Sequence, residues 1–395
     1  MSEARPESVS EIFVRFLRFG LLAWGGPVAQ IAMLKRELVE EEKWVSPGRF
    51  NRLLAVFQVL PGPEAHELCV HFGMIKRGRL GGIAAGLGFM LPGLLLILLL
   101  AWAYNRLELS SGPLAAVFLG VQVGVIALIA RAVHRIGQHT LLTAWLWAIA
   151  LGSAVAAMLG VSFWVSLPAS GVVYVLLGRR RFVLAALVVG AAVAIALLTG
   201  IEARPEPAAA AASEVVGALP LFLSGLKAGL LTFGGAYTAI PFVREDAVGR
   251  GWVSDGQFLD GLALSGIIPA PLIIFATFVG FQAGGLGGAL AMTAGIFLPA
   301  FAFSLLFFER LERVVEDERL HGFLEGVAAG VVGLIAATLL DLGWSVAASV
   351  PSLAAAAVIF TASLAVLYAW KSKYNVLAVI GLSALIGAIA LRGAG

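Results

Sequence analysis

Charge is what this 395-residue sequence has least of: 13% of its residues are charged and 60% are hydrophobic, where a soluble domain carries about a quarter charged. That shortfall excludes a water-soluble globular protein, and the chain reads as an all-α polytopic membrane protein. The net charge of +3 comes from short basic runs at the ends of apolar segments, a pattern that orients membrane helices and gives no footing for nucleic acid. The single cysteine, Cys69, excludes an intrachain disulfide and a cysteine-built metal cage. It reads as a small apolar helix residue. Residues Met1 to Ser10 lack the basic, apolar and small-residue regions of a secretory signal, so the chain is expected to insert by its own helices. Neither a flavin or nicotinamide fingerprint nor a haem or iron–sulfur ligand set occurs, and no cofactor is expected. Gly284-Gly285-Leu286-Gly287-Gly288 lacks the strand–turn–helix setting of a nucleotide loop and reads as a tight turn opening a helix.

In place of charge the chain has long apolar runs broken by glycine and proline. Ser10 is placed to cap a first helix through about Trp24, which meets Gly25-Gly26-Pro27 and resumes to about Lys43. A second runs from Pro47 to Lys76 and is interrupted at Pro61-Gly62-Pro63. No half is long enough, at about 1.5 Å per residue, to cross roughly 30 Å of hydrocarbon. A break inside hydrocarbon strands backbone N–H and C=O groups, so it persists only where protein, water or a ligand satisfies them. Apolar spans follow near 80–104, 113–136, 140–159, 161–178 and 182–200. The segment Ile201 to Glu214 is a linker, after which the pattern restarts.

The restart is a duplication. Leu17 to Gly26 resembles Leu226 to Gly235 at an offset of 209, while Trp44-Val45-Ser46 and Pro61-Gly62-Pro63 return as Trp252-Val253-Ser254 and Pro269-Ala270-Pro271 at 208. Gly120 and Gly124 return as Gly326 and Gly330 at 206, each a small-xxx-small helix contact. This divides the chain into repeats 1–200 and 215–395 around the linker 201–214. The basic residues bias the two copies oppositely. Lys76, Arg77 and Arg79 precede the first long span, where Ala283 to Leu286 carry no charge; Arg106 stands alone after it, where Arg310, Arg313 and Arg319 cluster. With Arg131, Arg135, Arg179 to Arg181, Lys371 and Lys373 also on the cytoplasmic side, the N-terminus lies inside, and the linker and C-terminus outside. The repeats are therefore expected to be inverted. Their broken helices are expected to re-enter as hairpins whose breaks meet near the midplane.

Half-helices that begin after a break present free N–H groups and a positive dipole end, which suits an anion. Arg18 and its repeat partner Lys227 lie two turns before the glycine breaks and are expected to reach toward them; Arg15 is expected to snorkel to headgroups. The candidate substrate-binding set is Arg18, Gly25, Gly26, Gly62, Lys227, Gly234, Gly235 and Ala270. Repeat equivalence predicts that neutralising Arg18 and neutralising Lys227 have similar effects. Glu64, Glu67 and His71 fall on one helical stripe, and His66 points away. The two histidines are five apart where a zinc hydrolase needs four, so no metal site is expected. The matching stretch Leu272 to Phe278 is nearly all apolar. That asymmetry suits a coupling or gating device, set against the plainer reading that Glu64 caps its half-helix and Glu67 pairs with His71 or a lysine. Lys35 and Glu37, recurring as Arg244 and Asp246, are further gating candidates.

These motifs together resemble the chromate ion transporter family in its long form with two homologous halves. The resemblance rests on Leu17 to Pro27, Trp44-Val45-Ser46, the Pro-Gly-Pro break followed by Glu67 and His71-Phe72-Gly73, Lys76-Arg77-Gly78, Leu91-Pro92, and their second copies through Leu298-Pro299. The second copy departs from the first in lacking a proline after Gly235. The resemblance implies a multi-pass protein of the inner (plasma) membrane that exports chromate, with sulfate as competitor or counter-ion. The implied partners are an oxyanion and the lipid bilayer; a homodimer is compatible with it. The alternatives left standing are uptake or exchange of sulfate or another oxyanion, and a membrane-embedded enzyme using Glu67 and His71.

Overall fold

The computed structural model describes residues 7–107, 114–199, 215–233, 235–306 and 318–391. The expected linker, Gly234, Arg310 and Arg313 lie outside them. Among the described residues every regular element is helical. Helix α1 (Val9–Leu21) buries Ile12, Phe16, Phe19 and Gly20, one stripe at helical spacing. It starts from Ser8 and not Ser10, because Ser8 has Glu11 three residues on to close a capping box, where Ser10 has Phe13. It also ends three residues short of Trp24. Helix α2 (Gly26–Leu34) follows the first break and runs on as a π-helical stretch, Lys35–Glu41. Then come α3 (Pro47–Val59), capped by Ser46, and α4 (Glu64–Arg106) after the Pro61-Gly62-Pro63 break.

The first half continues with α5 (Ala115–Thr140), α6 (Ala144–Met158), α7 (Phe163–Gly178) and α8 (Phe182–Thr199). The second has α9 (Ala218–Leu230), a 3₁₀ turn (Ala236–Ala239) leading into α10 (Ile240–Ala247), α11 (Asp255–Gly266), and a 3₁₀ turn (Leu272–Ile274) leading into α12 (Phe275–Leu306). It ends with α13 (Glu318–Ser349), α14 (Leu353–Ala369) and α15 (Asn375–Ala390).

Side-chain contacts show the chain doubling back at every break. Arg18 meets Glu37 and Phe16 meets Trp44 across the first, and the Phe50 and Phe72 rings stack across the second. Lys227 meets Asp246 across the third, and Phe258 meets Phe275 across the fourth. A further reversal lies inside α4, at Arg77 (φ −143°, ψ 28°) and Gly78 (φ 59°, ψ −153°), and is reproduced inside α12 at Gly284 (φ −142°, ψ 21°) and Gly285 (φ 60°, ψ −154°). Gly73 then lies against the Gly81 carbonyl, and Gly280 against that of Gly288. The glycine-rich turn is thus an internal reversal, and each of α4 and α12 has a short arm and a long arm.

The two halves exchange packing partners. Gly120 and Gly124 of α5 seat on Ser383 and Gly387 of α15, while Gly326 and Gly330 of α13 seat on Ser170 and Gly171 of α7. Ser153 and Ser170 are 3.0 Å apart between α6 and α7, and Ser363 and Ser383 are 3.1 Å apart between α14 and α15. Phenylalanines fill the interior, among them Phe16, Phe89, Phe258 and Phe297, while Trp147, Leu151, Leu197 and Trp344 face outward. Apolar outside and polar pairs inside is the pattern of a chain solvated by lipid. Ala115–Thr140, Leu320–Ser349 and, past their reversals, the long arms of α4 and α12 are long and apolar enough to cross a membrane. The chain is a multi-pass membrane protein.

Candidate functional site

The four breaks meet in two crossings, each between one hairpin of either half. In the first, the Gly62 N–H donates to the Thr232 carbonyl at 2.8 Å. In the second, Gln30 Nε2 donates to the carbonyls of Ala23 at 3.0 Å and Ala270 at 3.1 Å. Thr232 is Ala23 at the offset of 209, and Ala270 is Gly62 at 208. The same two repeat positions therefore meet twice, once directly and once through a buried amide. Backbone groups orphaned by the breaks are what these bonds satisfy.

Local chemistry shapes each tip. Gly25 has φ +90°, and a Cβ there would sit 2.8 Å from Lys373 Cβ, so the turn needs glycine on both counts. Gly62 has φ +149°, and a Cβ there would sit 2.7 Å from Glu67 Oε1. Gly26 and Gly235 also have positive φ. In the second half Thr238 staples the tip, its Oγ1 donating to the Gly235 carbonyl at 2.7 Å and accepting from the Phe233 N–H at 3.1 Å. Ala270 packs against Gly93 of the α4 long arm.

The basic candidates are turned away from the breaks. Arg18 lies 3.6 Å from Glu37 and is largely exposed, whereas the half-buried Lys227 lies 2.7 Å from the buried Asp246, with its ammonium 5.2 Å from the Phe163 ring centroid. Each charge is balanced by a carboxylate across its own hairpin, so neither points at a crossing. Lys35 and Glu37 do not pair with each other, nor do Arg244 and Asp246. Lys35 is 4.0 Å from Glu40, and Arg244 makes a two-pronged contact with Asp255 at 2.8 and 3.1 Å and approaches Asp341 at 3.9 Å. Arg15 is tied to Glu7 and Glu42 and stacks over Trp44, in place of the expected snorkelling.

The start of α4 is acidic and dry. Glu64 and Glu67 are buried in its first turns, and neither Glu67 oxygen has a hydrogen-bond partner among the described residues. Glu67 thus pairs with neither His71 nor a lysine. His71 packs on the Phe57 ring, while His66 points the other way, its ring centroid 4.9 Å from those of both Phe297 and Phe301. The histidines face opposite sides, and no group of metal-ligating residues occurs among the described residues.

Sequence reasoning placed Arg135 only as a topology marker. Its charge reaches Glu64 at one break and Tyr237 just beyond another. On the same helix Arg131 stacks over Tyr368 at 4.5 Å and His134 hydrogen-bonds the Tyr368 hydroxyl, and Lys373, five residues past Tyr368, lies against Gly25. The α5 positions return in α13 as Ala337, Leu340 and Asp341 at an offset of 206. One end of the assembly is therefore basic where its counterpart is apolar or acidic, and the signal lay in comparing those two triplets.

Comparison with known proteins gives this arrangement a context. The family model described as chromate transporter matches residues 10–217 and 219–388. The chain is 63% identical to a chromate transport protein of Pseudomonas aeruginosa, over 97% of this chain and 92% of that one. It is 31% identical to a probable chromate transport protein of Synechococcus elongatus over 85% of each, and 29% identical to a chromate transport protein of Cupriavidus metallidurans over 97% and 93%. These relatives are named as transport proteins and not as enzymes. No solved structure matches the chain.

Proposed function

Because the chain belongs to the chromate transporter family, we propose that it exports chromate across the inner membrane by alternating access. Repeats 1–200 and 215–395 sit in opposite orientations about the linker 201–214, and their hairpins re-enter from opposite faces. The single observation that carries this reading is the pair of crossings: equivalent positions of two copies meet twice, as a two-fold relation between the repeats requires, and the opposite bias of the basic residues in the two copies favours the axis in the membrane plane. The oxyanion passes between the crossings, against the backbone of Gly25, Gly26, Gly62, Gly235 and Ala270. Glu64 and Glu67 repel an anion from the start of α4, and neither the 3₁₀ turn Leu272–Ile274 nor the first turn of α12 carries an acid. Arg135 then serves as the facing cation. Arg18 and Lys227 hold their hairpins closed through Glu37 and Asp246, and Glu67 with His71 gates one side.

The basic end collects the dianion from the cytoplasm. Leaving a cell with a negative interior, the dianion gains about 2.3 kcal/mol per charge per 100 mV, roughly 4.6 kcal/mol in all. Potential alone is a sufficient drive. The test is uptake of labelled chromate into inverted vesicles, with membrane potential and pH gradient imposed separately and sulfate as competitor. Accumulation under a potential supports export; no chromate movement under any gradient refutes it. Arg135→Gln is expected to raise the KM for chromate severalfold and to flatten its salt dependence, and an unchanged KM removes Arg135 from the path.

A further inference from the structure

Helix α11 carries a buried acid that the oxyanion path does not use. Asp260 is 1% exposed. Its two hydrogen bonds both come from the other repeat: Tyr104 Oη donates to Oδ2 at 2.7 Å from the α4 long arm, and Gln122 Nε2 donates to Oδ1 at 2.9 Å from α5. Gln122 also reaches the Gly256 carbonyl at 3.5 Å. Both donors are neutral. The other elements packed on α11 bring no charge to it. From α12 the Phe278 ring lies against Gly261 and 5.1 Å from the Tyr104 ring. Between Asn375 and Ala390, α15 has no charged residue. Asp255 of α11, Arg244 of α10 and Asp341 of α13 engage one another, His321 and Glu325 of α13 pair together, and Arg106, two residues past Tyr104, is exposed.

An ionised carboxylate held in the protein interior by neutral donors alone is costly, and taking up a proton removes the cost. The cluster is built to hold either form. A tyrosine hydroxyl donates to a carboxylate and accepts from a carboxylic acid, while the Gln122 amide keeps its bond to the other oxygen. The serine bridges, the hairpin ion pairs and the α4 and α12 reversals each occur twice, once in each repeat. Asp260 is not doubled: the matching position in α3, at an offset of 208, is the exposed Arg52. The cluster also joins a hairpin of one repeat to the long helices of the other, so its protonation state bears on the contact that alternating access must break.

We propose that Asp260, with Tyr104 and Gln122, is a proton-binding site that couples inward proton movement to outward oxyanion movement. This rests on the transporter reading above. The proton enters from water on one face, bonds to the Asp260 carboxylate, and leaves to water on the other face, adding to the drive from membrane potential.

The experiment uses purified full-length protein in liposomes containing a trapped pH dye, with labelled potassium chromate as the probe. Net chromate flux, proton flux and chromate–chromate exchange at equal pH are measured at clamped potential. Wild type is expected to move protons against chromate and to be accelerated severalfold by a pH gradient. Asp260→Asn is expected to keep exchange while losing proton flux and all acceleration, and Asp260→Glu to keep both; Tyr104→Phe shifts the pH of half-maximal flux. The proposal is overturned if wild-type flux ignores the pH gradient while responding to potential, or if Asp260→Asn retains the acceleration. Loss of exchange as well, in Asp260→Asn and Tyr104→Phe alike, assigns the cluster to bracing and overturns it too. Wild-type protein that moves no chromate at all refutes the transporter reading instead.

Discussion

The two hairpin ion pairs occupy equivalent positions and live in different surroundings. Lys227–Asp246 is short and walled by Phe163, with Lys227 half-buried; Arg18–Glu37 is longer, and Arg18 is largely in the open. Duplication therefore preserved the pairing and not its environment. The crossings repeat the lesson: one is a direct backbone bond, and the other is bridged by Gln30, whose repeat counterpart is Ala239. A two-fold scaffold therefore carries two unlike crossings.

The largest expected effect separates the two pairs. Lys227→Met leaves the buried Asp246 with the exposed Arg250, at 3.1 Å, a change expected to cost up to about 3 kcal/mol, the low end for a broken buried pair because one cation remains. Arg18→Met is expected to cost less than about 1 kcal/mol, as exposed pairs do. Thermal unfolding of the detergent-solubilised variants measures both; equal losses would mean that the burial difference has no energetic consequence. The next effect sharpens the contrast between the second and fourth breaks. Gly62→Ala places a Cβ on the Glu67 carboxyl at a positive φ and is expected to cost about 2–3 kcal/mol, near the top of the range for strained backbone. Ala270→Gly relieves nothing and costs about 0.5–1 kcal/mol in chain entropy. Should Gly62→Ala prove as mild as Ala270→Gly, the tight seat of Glu67 under that break is wrong.

Breaks, helices and the duplication were legible because each is local or arithmetic. Glycine and proline announce turns wherever they stand, and a steady offset needs no structure to be seen. Partners were harder to read. Glu37 and Asp246 were grouped with their sequence neighbours Lys35 and Arg244, but a hairpin brings residues 19 apart together, as Arg18 and Glu37 are. The recurrence of both members of that pair was the available clue. Asp260 left no such trace: Tyr104 and Gln122 lie 156 and 138 residues away, and its own repeat position holds an arginine. Lys227 and Arg18 were expected to behave alike because repetition reports position, while exposure depends on what the other half packs against it.

The smallest predicted difference is the one that tests the symmetry itself. Gly78 and Gly285 turn the chain inside α4 and α12 with φ and ψ that agree to 1°, in a region that only glycine enters without strain. No atom lies within 4 Å of a Cβ built on either, so Gly78→Ala and Gly285→Ala meet no neighbour and carry backbone strain alone, about 1 kcal/mol each. The two shifts in unfolding midpoint should therefore match, although the flanking residues Arg77 and Arg79 are charged in the first copy and Gly284 and Leu286 are not. A mismatch would locate asymmetry in the scaffold and not only in the crossings. A match leaves the crossings, the hairpin pairs and Asp260 as the places where the two copies have parted.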